Sequence, residues 1–259
     1  MRIEIKNDKE VKASQDGTNK IQLFYNEEYQ QGDKICIYPD EVPTYLHIKI
    51  DDAIEETMIY LKEGIFEYYI PFEQQRKAYS YKAFYNKKHL IKVTKPSLNQ
   101  IQSYQNLALN TVDQENQNHV FPHVSSSLDD KLQPVFQAKN IIDGLTFNNE
   151  HGRWPYTSWS YMQDSSASLT INFGREVNVE EIHIYLRADF PHDSYFKKIS
   201  LEFSNGVRKQ LDLISTNQAQ VFKIKQKDVE RIRFYGFIKN EDESNFAAIS
   251  QIEVYGYNQ

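Results

Sequence analysis

One cysteine in 259 residues, Cys36, excludes an intrachain disulfide and any cysteine-rich zinc site. It sits in the apolar run Ile35-Cys36-Ile37-Tyr38, which suits a buried, inert thiol. Glycine is scarce as well, with nine residues, so many turns must rest on Asn and Asp. Basic residues are outnumbered, 30 against 36 acidic, for a net charge of −6. That balance argues against nucleic acid and against an anionic membrane surface, both of which ask for positive charge. No apolar run is long enough to span a bilayer. The opening Met1-Arg2-Ile3-Glu4-Ile5-Lys6 alternates apolar and charged residues where a signal peptide would carry an apolar core. The expectation is a soluble, cytoplasmic chain, or an extracellular one if it has been trimmed. Also missing are a Gly-x-Ser-x-Gly elbow, a glycine-rich phosphate loop and a His-Glu-x-x-His pair, and with them the commonest hydrolase and nucleotide-binding signatures.

What the chain does have is period-2 alternation, the mark of half-buried strands. It runs through Ile3–Ile5, Ile21–Phe24, Ile35–Ile37, Leu46–Ile50, Met58–Lys62, Ile65–Ile70 and Leu90–Val93. Glu63-Gly64 reads as a hairpin turn, and Tyr79–Tyr85 as an alternating strand whose outer tyrosines would offer a platform. From residue 98 to about 138 the chain turns polar, with room for a short helix near Leu98–Tyr104. Alternation resumes at Leu169–Phe173, Ile182–Leu186, Ile199–Phe203, Leu211–Leu213, Val221–Ile224, Ile232–Phe234 and Ile249–Tyr255, with Asn205-Gly206 as a type I′ hairpin signal. The prediction is an all-β protein of two β-sandwich domains, residues 1–98 and 99–259.

The densest chemical signal is His151-Gly152-Arg153-Trp154-Pro155-Tyr156-Thr157-Ser158-Trp159, which holds both tryptophans of the chain. Aromatic faces stack on the apolar C–H faces of sugar rings while neighbouring polar groups take the hydroxyls. Trp159 precedes a strand and reads as core, whereas Trp154 and Tyr156 read as exposed. A second cluster, Arg187-Ala188-Asp189-Phe190-Pro191-His192-Asp193, directly follows a strong strand. Arg187, Asp189, His192 and Asp193 would form a hydrogen-bonding set for vicinal hydroxyls, or an ion-pair knot that pins the loop. His119 and His123 are four apart, but Pro122 rules out the helix that would align them on a metal.

The strings Asn106-Leu107-Ala108-Leu109-Asn110 and Asn140-Ile141-Ile142-Asp143-Gly144, with the ending Ala248-Ile249-Ser250-Gln251-Ile252-Glu253-Val254-Tyr255-Gly256, resemble discoidin-like domains. These are the galactose-binding-like jelly rolls shared by coagulation-factor C domains and many bacterial carbohydrate-binding modules. The loop strings His-Gly-x-Trp-Pro-Tyr-x-Ser-Trp and Leu-Arg-Ala-Asp-Phe-Pro-His-Asp look like a bacterial, carbohydrate-binding branch. The resemblance spans about residues 106–257 and implies an eight-stranded jelly roll that binds at one end. It also implies a structural calcium held by Asp143, with Gln251 where relatives carry an acid. The expected function is non-catalytic binding of a saccharide or glycan by His151, Arg153, Trp154, Tyr156, Arg187, Asp189, His192 and Asp193. Two rivals stand beside it. One is an interaction protein gripping a protein partner or a second copy of itself; the other is a sugar-active hydrolase using Asp189 and Asp193.

Overall fold

The computed structural model describes residues 1–189, 194–242, 244 and 246–259. Among these residues the chain is all-β, with two sandwiches and two separate apolar cores. In the first, β1 (Arg2–Lys6), β2 (Val11–Asp16), β4 (Lys34–Tyr38) and β7 (Phe66–Tyr69) form one antiparallel layer in the order β2-β1-β4-β7. The facing layer contains β3 (Lys20–Tyr25), β5 (Thr44–Lys49), β6 (Thr57–Leu61), β8 (His89–Thr94) and β10 (Val120–Phe121). Alternation does what it predicts in β3, where Ile21, Leu23 and Tyr25 turn inward and Lys20, Gln22 and Phe24 outward.

The second sandwich is a jelly roll wrapped from a single eight-stranded antiparallel sheet. Its strands are β9 (Gln105–Asn106), β11 (His123–Ser126), β12 (Trp159–Ser160), β13 (Ser168–Leu186), β14 (Phe196–Phe203), β15 (Arg208–Asp212), β16 (Gln220–Lys239) and β17 (Ala248–Asn258). β13 and β16 bend so strongly that each serves two stretches of ladder. β13 breaks register near Gly174, whose φ is +67°, and β16 bends near Asp228, at φ 55°. The segments expected as separate strands, Leu169–Phe173 and Ile182–Leu186, are therefore one element, continued by inward Val177 and Val179.

Three local expectations are corrected. β6 and β7 lie in different sheets, so Glu63-Gly64 carries the chain across the sandwich instead of closing a hairpin. The β14–β15 hairpin forms, but its loop runs from Ser204 to Val207, with the Phe203 N–H donating to the Val207 carbonyl at 2.9 Å and Gly206 at φ +86°. It is longer than a two-residue type I′ turn. Tyr79–Tyr85 is not a strand: the Ala83 N–H donates to the Ser80 carbonyl and the Phe84 N–H to Asp51, folding it as successive turns. β2 escaped notice because it is an exposed edge with no inward apolar row. The short helix is present as α1 (Leu98–Gln102), closed by a Ser97/Gln100 capping box.

The segment after α1 serves both cores. β9 pairs with β17, and Leu107 and Ala108 enter the second core. Val112 and Val120 then pack into the first core, where β10 pairs with β6. The chain returns through β11, paired with β13.

Candidate functional site

Trp159 is fully buried, its indole Nε1 donating to Ser126 Oγ at 3.0 Å and its ring tilted against Phe237 at 5.0 Å. That anchor sets the base of the loop before it, which folds as a tight turn. The Tyr156 N–H donates to the Arg153 carbonyl at 3.0 Å and the Gly152 N–H to the Tyr156 carbonyl at 3.1 Å, with Gly152 at φ +112°.

Of the eight residues expected to act together, the six described do not form one cluster. His151, at the surface, pairs through Nδ1 with Asp189 Oδ2 at 2.6 Å, joining the two loops. Tyr156 meets Phe147 edge to face at 6.5 Å between centroids. Arg153 is exposed. Arg187 is buried, with its guanidinium 6.0 Å from the centre of the Phe136 ring. Trp154 belongs to other company: its N–H donates to the Lys77 carbonyl of the first domain at 2.9 Å, and its side chain lines a recess with Tyr79, Lys139 and Asp143. His192 and Asp193 lie outside the described residues.

Beside the His151–Asp189 pair lies an open hollow of about 470 Å³, lined by Thr146, Phe147, Asn148, Asn149, Tyr185, Asn217, Gln218 and Ala219. Asn148 holds its walls together. Its Nδ2 donates to the Leu186 carbonyl at 2.8 Å and the Asn217 carbonyl at 3.0 Å, while its own carbonyl accepts from the Ala188 N–H at 2.7 Å. Phe147 is 55% exposed and presents its ring at the wall of the hollow. The Tyr185 hydroxyl donates to Glu253 at 3.3 Å; burial, then the Glu253 charge, pushes its pKa up to about 12, so it stays neutral. Sequence reasoning missed Phe147, Asn149, Tyr185 and Gln218. The available signal was one phenylalanine isolated among Thr146, Asn148 and Asn149 in a loop.

At the expected calcium position Asp143 is accompanied by the neutral amide of Gln251. Gln251 is fully buried, and its amide, oriented to satisfy both neighbours, donates to the Ile141 carbonyl and accepts from the Gly144 N–H, each at 3.1 Å. A neutral amide thus occupies a carbonyl that a hard cation would need. Asp143 Oδ1 accepts from the Leu145 N–H at 2.8 Å, and burial raises the carboxyl pKa to about 7. Among the described residues no group of three His, Cys, Asp or Glu could hold a metal. His119 and His123 are held apart, the first on the Ile65 carbonyl at 2.8 Å and the second on Asp113 at 2.7 Å.

No family model matches the chain, and no curated protein matches it. Several solved structures resemble part of it. Chitosan-binding module 1, derived from a chitosanase/glucanase of Paenibacillus sp. IK-5, is 15% identical over 59% of this chain and 99% of its own, with a TM-score of 0.38. The family 32 carbohydrate-binding module of C. perfringens NanJ, in complex with galactose, is 20% identical over 51% of this chain and 91% of its own, at 0.36. A fucose binding module of Streptococcus pneumoniae, SpX-3, is 18% identical over 60% of this chain and 99% of its own, at 0.41. All three TM-scores lie below 0.5.

Proposed function

We propose that this protein reversibly binds a neutral saccharide, without turnover, at the hollow beside the His151–Asp189 pair. The observation that carries this reading is the lining itself: an exposed phenyl ring, a neutral phenol and carboxamides, with no charged side chain among them. Carboxamides donate and accept at once, as vicinal hydroxyls require, and Phe147 supplies an apolar face for a sugar ring. His151, Asp189 and Tyr156 extend the polar and aromatic rim. Open sites of this kind exchange water hydrogen bonds for protein ones at little net gain, so modest affinity is expected.

The test is a glycan-array screen of the intact protein with Phe147→Ala as control. Selective signals that weaken at least about tenfold in the variant, with unchanged thermal stability, support the site. A blank array from folded protein, or signals indifferent to Phe147→Ala, refutes it.

A further inference from the structure

Residues 74–88 carry five basic side chains and no acidic one, in a chain whose net charge is −6. They fold as a compact knuckle with a buried anchor. The Phe84 ring stacks on Tyr68 at 5.7 Å, and the Phe84 N–H donates to Asp51. Arg76 braces the turn, its Nη2 donating to the Ala83 carbonyl at 3.0 Å with the guanidinium 5.7 Å from the centre of the Tyr85 ring. Phe84, Asn86 and Lys88 hold φ of 55°, 59° and 74°, a left-handed conformation that such residues keep only where their surroundings enforce it. On this base Tyr81 is 75% exposed and Tyr85 57%, and Lys82 Nζ lies 5.7 Å from the centre of the Tyr81 ring. Acids do touch the borders. Glu73 precedes the segment, Glu27 takes Lys87 at 3.1 Å, and Glu55 shares a recess with Tyr79 and Trp154. Among the described residues none forms an ion pair with Lys77, Lys82 or Lys88. A cation resting on a ring, unlike one in an ion pair, keeps its charge available to an outside anion.

We propose that this knuckle binds an acidic polysaccharide, with Lys77, Lys82 and Lys88 taking its carboxylates or sulfates and Tyr81 and Tyr85 receiving its ring faces. The pattern of the surface selects that class. Ammonium groups stand among exposed phenol rings, as an acidic polysaccharide intersperses anionic groups with the apolar C–H faces of its rings. A nucleic acid strand sets a phosphate about every 3.4 Å and would run onto Glu27 and Glu73 at the borders of so short a basic stretch. A neutral glycan makes no use of the three ammonium groups. The Trp154 N–H donates to the Lys77 carbonyl at 2.9 Å, so the knuckle adjoins the second domain. It shares no residue with the lining of the hollow, and the first domain thereby contributes a contact of its own.

The experiment measures binding of the intact protein to heparin, polygalacturonate, neutral dextran and an oligothymidylate, at low and at physiological salt. Parallel measurements use the combined variant Lys77→Gln, Lys82→Gln, Lys88→Gln and the single variant Phe147→Ala, with thermal melts to establish folding. Binding to heparin reads sulfate recognition and binding to polygalacturonate reads carboxylate recognition; either one supports the proposal. That binding should weaken as salt rises, fall at least about tenfold in the combined variant and persist in Phe147→Ala. Should the combined variant fail to fold, Tyr81→Ala takes its place under the same tenfold criterion. Absence of binding to both acidic polysaccharides overturns the proposal, as does binding indifferent to the lysine substitutions. Dextran or oligothymidylate bound as tightly as the acidic polysaccharides overturns it too, since the surface would then not select this class. Binding abolished by Phe147→Ala also overturns it, while leaving the reading of the hollow intact.

Discussion

Arg175 offers the sharpest test of how the two sandwiches are joined. It follows Gly174 at the bend of β13, and its guanidinium lies 5.1 Å from the centre of the Tyr45 ring and 5.3 Å from that of Tyr60, both in the first domain. Within its own domain Nε donates to Asn258 at 2.8 Å and Nη1 to the Phe173 carbonyl at 2.6 Å. A desolvated cation–π contact contributes about 2 kcal/mol and a hydrogen bond to a charged group about 1.5–3 kcal/mol. Against these stands the cost of holding the cation away from water, which lowers the Arg175 pKa. We therefore expect Arg175→Ala to destabilise the intact protein by about 3 kcal/mol, which for a chain of this size lowers Tm by about 6–12 °C. Calorimetry should also resolve two transitions in place of one, since the contact spans the domains. Arg175→Lys should fall between, keeping charge while losing the planar stack. A Tm within about 1 °C of the parent and an unaltered single transition would refute the reasoning.

Two other outcomes follow from the Asp143–Gln251 corner. Asp143 has its pKa raised to about 7, so the folded state holds a proton that the unfolded chain releases near pH 4. Its contribution is full below about pH 4 and lost as pH climbs to about 7; Asp143→Asn should therefore gain about 1–3 kcal/mol over the parent at pH 8 relative to pH 4, read by urea unfolding. An identical pH dependence in both proteins would remove burial as the cause. Because the Gln251 amide already bridges Ile141 and Gly144, added chelator should leave Tm unchanged, and added calcium should not raise it. A calcium-dependent rise in Tm would restore the cation site.

Much of the architecture was legible because its elements are self-declaring. Inward rows such as Ile21, Leu23 and Tyr25 follow from spacing alone, and Trp159 reads as core from its place before a strand. Edge strand β2 was not legible, since exposure leaves it no apolar row. The turns of Tyr79–Tyr85 hid behind an accidental alternation that Asp51, a distant residue, overrides by accepting the Phe84 N–H. At the candidate site, the pairing of His151 with Asp189 links loops that both looked chemical in advance. The hollow was missed because its carboxamides are unremarkable in sequence and converge only through Asn148.

Trp154 is exposed, as its loop composition suggests, but the surface it faces is set by contacts remote in the chain. Here Thr57 Oγ1 donates to the Leu109 carbonyl, Thr111 Oγ1 to the Glu55 carbonyl, and Gln117 to the Glu67 carbonyl. These bonds stitch residues 109–121 to the first sandwich before β11 returns to the second. The polar composition of residues 98–138 is the composition such stitching needs, because side chains such as Thr111 and Gln117 satisfy backbone groups of the first domain. The same stretch carries Val112 and Val120 into the first core, so a cut at residue 98 would strip that core of two fully buried side chains and β6 of its neighbour β10. The recess around Trp154 exists because the domains are tied at this seam, and its shape should depend on both.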